Sequence, residues 1–256
     1  MTPGHRADYE PRSGAAVYRS TVDGRSSVLL VCEHASRFIP EDLNGLGLPE
    51  NLLEAHIAWD RGAFGVAARL SERLDAPLLS GGISRLVYDC NRPPTAEDAI
   101  PVVSEVHEIP GNNGLLTEAI LERIDEIYRP FHAGVEAALE EPGRRVLVTV
   151  HSFTPVYRGV PRAVEIGVLH GADARLADAL LDLAPEDLRV ERNAPYGPED
   201  GVLHTLEEHA GPRGLLNAMI EIRSDLIESP KQQDEMAGRL ADWLEAALAR
   251  CEVPAC

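Results

Sequence analysis

The feature that most limits what this chain can fold into is the order of its apolar runs. Runs of strand length lie at 28–32 (VLLVC), 77–80 (PLLS), 86–88 (LVY), 146–150 (VLVTV), 164–169 (VEIGVL), 188–191 and 216–222 (LNAMIEI). Between them, residues 61–74, 116–140, 173–183 and 231–250 repeat apolar positions at helical spacing. Strand and helix in alternation predict an α/β fold, with a mostly parallel or mixed sheet covered on both faces. Pro130 falls inside the 116–140 pattern and should kink or split that helix. Residues 91–114, with NRPPTAEDAIP and PGNNG, read as a long loop, a feature that is often functional. No linker divides the chain, so one domain is expected over 25–250. A loosely ordered lead (1–24) precedes it and a short tail (251–256) follows.

Charge narrows the partners. The formal net charge of −18 argues against nucleic acid. An anionic substrate would need a local cluster of arginines. No apolar run reaches the ~18 residues that span a bilayer, and the first twenty residues lack a signal-peptide core. The expectation is a cytoplasmic protein with no membrane partner; its oligomeric state is open. Cys32, Cys90, Cys251 and Cys256 form no CxxC pair, which disfavours a structural zinc knuckle.

The first apolar run stops on Glu33-His34. A buried charge is costly unless it is paired or bound to a metal, so a partner is required. Open α/β sheets place their sites at the carboxyl ends of strands. Polar residues near run ends are therefore the candidates: Glu33 and His34; Arg85, Asp89, Asn91 and Arg92; His151 and Ser152; Glu221, Arg223 and Asp225. Two histidines among carboxylates suit a divalent metal with nitrogen and oxygen ligands. His56 and Asp60 lie four apart and can share a helical face, or Asp60 can cap a helix starting at Arg61. Glu33 can be an outer partner of an imidazole instead of a ligand. The other histidines (5, 107, 132, 170, 204 and 209) have no such context and read as solvated or structural.

The ordered set EHAS-x3-P, H-x3-D-x-G, SRLVYDCNRP, HSFTP and EIRSDL resembles the N-formylglutamate amidohydrolase family over roughly residues 25 to 245. That family is similar in fold to zinc carboxypeptidases and aspartoacylases. The resemblance implies a three-layer α/β/α sandwich with a mixed, mostly parallel central sheet and one catalytic zinc. It matches His34 and His151 to the first and last zinc ligands. The carboxylate usually found three residues after the first histidine is replaced by Arg37, so Asp60 is chosen as the third ligand, with Glu33 and His56 as alternatives.

The same resemblance implies that Asn91-Arg92 grips the carboxylate of a small anionic N-acyl amino acid, with Arg85 or Arg223 assisting. The competing reading pairs Arg92 with Asp89 or another loop acid. Arg158 and Arg162, after HSFTP, are candidates to meet an acidic side chain or the oxyanion. Glu221 is the implied general base. Strand alternation puts Glu221 and Arg223 on one face and Ile220 and Ile222 on the other; a structural Glu221–Arg223 pair is the alternative. The implied activity is hydrolysis of an N-acyl amino acid, formyl first, by a zinc-activated water. Alternatives are a carboxypeptidase, a deacylase of larger acyl groups, or a non-catalytic metal-binding protein. A serine hydrolase is disfavoured, because no G-x-S-x-G occurs.

Overall fold

The computed structural model describes residues 13–20 and 24–253. In chain order the elements are β1 (Val17–Arg19), β2 (Val28–Cys32), α1 (Glu50–Leu53), α2 (Ala63–Arg73), β3 (Leu78–Gly81), the hairpin β4 (Val103–Ser104) and β5 (His107–Glu108), α3 (Thr117–Arg123), α4 (Arg129–Leu139) and β6 (Val146–Phe153). There follow the hairpin β7 (Val156–Tyr157) and β8 (Val160–Pro161), β9 (Ile166–Leu169), α5 (Arg175–Asp182), β10 (Val190–Arg192), β11 (Leu216–Arg223) and α6 (Pro230–Arg250).

Seven strands form one sheet in the order β1-β3-β2-β6-β11-β9-β10. The central strands β3, β2, β6 and β11 are parallel; β1 and β9 run antiparallel to their inner neighbours. Every residue of β2 is buried, as expected of a central strand covered on both faces. Alternate side chains feed two cores. One, with Leu30, Val148, Ile220 and Ile222, packs under α2, α5 and α6. The other, with Leu29, Val31, Leu147 and Met219, meets Phe131 and Val135 of α4 and the long connections. The result is a three-layer α/β/α sandwich around a mixed, mostly parallel sheet. Among the described residues no helix is long and apolar enough to cross a membrane.

Local departures have identifiable causes. The run LVY at 86–88 is no strand. Ser84 accepts hydrogen bonds from the Leu86 and Val87 amides, through its hydroxyl and its carbonyl, and folds the segment into a turn. Leu86, Val87 and Tyr88 still bury their side chains in the second core. The 116–140 pattern stays continuous through Pro130. A π-helical turn, Ile124–Tyr128, widens the helix so that the Arg129 amide bonds to the Ile124 carbonyl, and this absorbs the missing proline donor.

The long loop is held in place. Buried Asn112 donates to the carbonyls of Leu86 and Pro101, at 2.8 and 2.7 Å, and accepts from Arg123 at 2.8 Å. Part of the expected lead, Val17–Arg19, pairs with β3 as an edge strand. Residues 1–12 and 21–23 of that lead, and 254–256 of the tail, lie outside the described residues.

Candidate metal centre and cavity

Three neighbouring parallel strands end at the same edge of the sheet, which brings together residues far apart in sequence. Their register pairs Val31 with Thr149, and His151 with Glu221. Two residues beyond Val31, Glu33 therefore lies level with His151 and Glu221. The row faces the second core, while Ile220 and Ile222 point to the first. The sheet geometry thus places a carboxylate, an imidazole and a second carboxylate side by side.

His34 and Asp60 join the row from the turns after β2 and before α2. The Asp60 amide donates to the His34 carbonyl at 2.9 Å, tying these turns together. Asp60 does not cap α2, whose N-cap position is Gly62 with no side-chain cap. Gly62 has φ +81°, and a Cβ there would stand 2.4 Å from the Ile227 carbonyl oxygen. This is the physical reason for glycine in H-x3-D-x-G. The Asp60 carboxylate instead turns inward. It accepts from His151 Nδ1 at 2.9 Å and the Ser152 amide at 3.3 Å. It also lies 3.4 Å from His34 Nδ1 and 3.0 Å from Arg85 Nη1.

The remaining contacts orient the imidazoles. His34 Nε2 donates to Asp89 at 2.7 Å, which turns Nδ1 toward Asp60, as an outer carboxylate does for a ligating histidine. His151 Nε2 faces Glu33 at 3.0 Å. Burial opposes charge on His151, yet Glu33 and Asp60 together hold its pKa well above the ordinary value. Glu221 is also shifted upward: burial, reinforced by the Asp60 charge, pushes it up to about 7. His56, largely enclosed at the cavity wall, is pushed down to about 3 by desolvation and by Arg85.

A divalent cation fits this environment. His34, Asp60 and His151 each offer one ligand atom, all within 4.8 Å of one another. Four carboxylates (Glu33, Asp60, Asp89 and Glu221) gather around the two imidazoles, with Arg85 against Asp60, and Glu33, Asp60 and Glu221 are 5 % exposed or less. Buried atoms without a well-formed hydrogen bond cluster here: both Glu33 oxygens, Asp60 Oδ1, His56 Nδ1, His151 Nε2 and Glu221 Oε2. Buried carboxylate and imidazole atoms with unused lone pairs suit a bound cation, and a mixed nitrogen and oxygen donor set suits zinc.

A cavity of about 360 Å³ opens beside the cluster, lined by His34, His56, Asp60, His151 and Glu221, with Arg85, Asn91 and Arg92 at its wall. The arginines and Asn91 make extensive bonds within the protein itself. Asn91 is 2 % exposed, donating to the Val202 carbonyl and accepting from the Thr205 amide. It holds the 202–205 segment from the cavity wall. Asn91→Ala should therefore destabilise the fold by about 1–3 kcal/mol for each orphaned backbone group, read as a lower urea midpoint with an unchanged slope.

Arg92 pairs with Asp98 at 2.8 Å and donates to the carbonyls of Gly201, Asn91 and Asp200. These bonds use four of its five N–H groups. No parallel pair is left for the two-pronged grip that the Asn-Arg resemblance implies. The competing reading is realised with Asp98 in place of Asp89.

Three other arginines stay out of the cavity lining. Arg223 pairs with Asp225 at 2.8 Å and Glu165 at 3.4 Å, so the alternative Glu221–Arg223 pair does not form. Arg158 sits on the β7–β8 hairpin and donates to the Glu105 carbonyl. Arg162 is enclosed by Phe153, Tyr157 and Tyr196. Their positions just after a site strand gave no sign of these partners.

Sequence reasoning did not single out Tyr157 and Tyr196, which line the cavity. It noted Asp89 as the end of an apolar run and a partner for Arg92, not as the partner of His34. His132, His204 and His209 prove to be structural and buried: His132 bridges His209 at 2.7 Å and the Cys90 carbonyl at 2.9 Å, and His204 meets the Tyr128 hydroxyl at 2.9 Å.

Comparison with known proteins agrees with this architecture. No curated protein sequence matches the chain. A gene product of Agrobacterium tumefaciens of known structure is 50% identical, covers 93% of this chain and 97% of its own, and superposes with a TM-score of 0.91. An N-formylglutamate amidohydrolase from Ralstonia eutropha shares the fold at 20% identity, with coverage of 90% and 98% and a TM-score of 0.62. Residues 26–228 match the family described as N-formylglutamate amidohydrolase. With its buried His–Asp–His cluster at the edge of the sheet, the chain belongs to the N-formylglutamate amidohydrolase family.

Proposed function

We propose that this chain is a metal-dependent hydrolase that cleaves the amide bond of a small N-acyl amino acid, with formyl as the acyl group and N-formylglutamate as the first substrate to try. One observation carries the reading. Glu221 is a buried carboxyl with an unpartnered oxygen, level with His151 and beside a His–Asp–His donor set, at a cavity of about 360 Å³. That volume lies near the lower end of the ~300–1,000 Å³ usual for ligand sites, which favours a small acyl group.

A divalent cation held by His34, Asp60 and His151 would supply Lewis-acid polarisation of a carbonyl and an acidified water. The chain's own residues do the rest. Glu221 takes one proton from water as the water oxygen bonds to the acyl carbon. The C–N bond then breaks, and Glu221 returns that proton to the departing nitrogen, leaving a carboxylic acid and an amine. A carboxyl raised to about 7 is matched to accepting and releasing a proton near neutrality. Arg85 donates to the carbonyls of His56 and Ile57 and to His34, and forms an ion pair with Asp60. Like Arg92, it retains a single uncommitted N–H at the cavity wall. Two single donors from two arginines thus replace one bidentate clamp on the substrate carboxylate.

The test is metal analysis of the purified protein, then an assay across N-formyl and N-acetyl amino acids with chelator controls. The expected result is release of formate from N-formyl-L-glutamate, lost on chelation and restored by zinc. Hydrolysis that survives verified removal of all metal rejects the proposal. Preference for longer acyl groups, or release of a C-terminal residue from a peptide, would reassign the chain as a deacylase or a carboxypeptidase. Absence of turnover with metal bound would leave a metal-binding protein.

A further inference from the structure

Tyr196 lines the cavity alongside Glu221 and His56, and the reaction scheme above leaves it without a role. Its hydroxyl oxygen accepts a hydrogen bond from Arg162 Nη2 at 3.1 Å. Among the described residues, no acceptor receives the hydrogen of that hydroxyl. The Tyr196 O–H is thus an uncommitted donor at the wall of a polar cavity.

Arg162 has little freedom to do anything else. Its guanidinium carbon lies 4.6 Å from the Tyr157 ring centroid, 5.0 Å from that of Tyr196 and 5.5 Å from that of Phe153. Its Nη1 donates to the carbonyl and hydroxyl oxygens of Thr154, at 3.3 and 3.4 Å. The cation is held against ring faces, an arrangement stabilised by the aromatic quadrupoles. A hydroxyl that accepts from a fixed cation becomes a stronger donor, because hydrogen bonds in a chain polarise one another. Burial and the nearby Glu221 charge push the Tyr196 phenol up to about 12, so its proton stays in place at neutral pH.

Amide hydrolysis builds negative charge on the acyl carbonyl oxygen, and a preorganised donor aimed at that oxygen lowers the barrier. We propose that Tyr196 is a catalytic donor to the oxyanion, and that Arg162 is a positioning residue that sets the direction and strength of the Tyr196 O–H. The proposal rests on the hydrolase reading above. It also recasts Arg162, which acts through a phenol and does not itself touch substrate.

The test uses full-length zinc-loaded protein as wild type, Tyr196→Phe, Arg162→Met, Arg162→Lys and the double variant Y196F/R162M. Thermal unfolding first establishes that each variant is folded. On N-formyl-L-glutamate, Y196F should lower kcat by about 10²–10³-fold with KM nearly unchanged. R162M should fall toward the same level, R162K should recover part of the loss, and the double variant should be no worse than Y196F alone. A Y196F enzyme with wild-type kcat overturns the role of Tyr196. Losses that multiply in the double variant overturn the role of Arg162.

A second readout does not depend on turnover. Methylphosphonate, a tetrahedral anion, should bind zinc-loaded Y196F at least 10-fold more weakly than wild type, and equal affinities overturn the proposal. If the wild type hydrolyses nothing in the panel, the hydrolase reading fails, and the methylphosphonate comparison still decides for or against Tyr196.

Discussion

Glu221→Gln should abolish most turnover while leaving the protein as stable as before. The glutamine side chain has the same shape and can still occupy the position opposite His151. What it lacks is a basic oxygen. General acid–base catalysis is worth about 10²–10⁴-fold, so kcat on N-formyl-L-glutamate should fall by that factor. Stability should hold or rise, because the wild-type carboxyl is buried beside Asp60 and burial disfavours its charged form. Steady-state kinetics and a thermal melt on the same sample separate the two effects. A variant that keeps its kcat removes Glu221 from the chemistry, and one that melts many degrees lower makes it a structural residue instead.

The second large effect concerns stability. Glu33, Asp60 and Glu221 are 5 % exposed or less, with His151 between them and Arg85 as the nearby cation. A divalent cation bound to the folded state alone contributes about 4 kcal/mol when present at a thousandfold excess over its Kd. For a domain of this size each kcal/mol moves Tm by about 2–4 °C. Zinc should therefore raise the melting temperature of metal-stripped protein by about 8–16 °C.

His151→Ala removes one donor and also strands Glu33 and Asp60, which face its two ring nitrogens. Breaking a buried ion pair on one side costs about 3–5 kcal/mol. The variant should melt well below the stripped wild type and show no zinc shift. An equal zinc shift in wild type and H151A would place the cation elsewhere, and no shift in either would remove it.

The parts of the site that follow regular strands were legible in the sequence. Glu33, His34, His151 and Glu221 each end or interrupt an apolar run, and the parallel register of β2, β6 and β11 carries them to one edge. Asp60 was ambiguous between a helix cap and a ligand. Local sequence could not decide, because the choice depends on contacts to His34, His151 and Arg85 made across the fold.

The arginines were less legible still. Arg92 reads as a substrate clamp until Asp98 of the same loop and the carbonyls of Asp200 and Gly201 from a distant one are placed against it. Tyr196 lies in an irregular stretch after β10, where no period marks an inward-facing side chain. The run at 86–88 shows the limit of hydrophobicity as a guide: it foretold burial correctly, but the backbone followed the hydrogen bonds of Ser84.

The interleaving of β2, β3 and β6 bears on when the His–Asp–His donor set can come together. His34 and Asp60 are made early in the chain, whereas His151 arrives only after β3, the long loop and α4 have been synthesised. Closing so long a stretch of polypeptide is entropically unfavourable until the sheet can reward it. A nascent chain therefore presents scattered donors with no shared centre until β6 has joined β2 in the sheet.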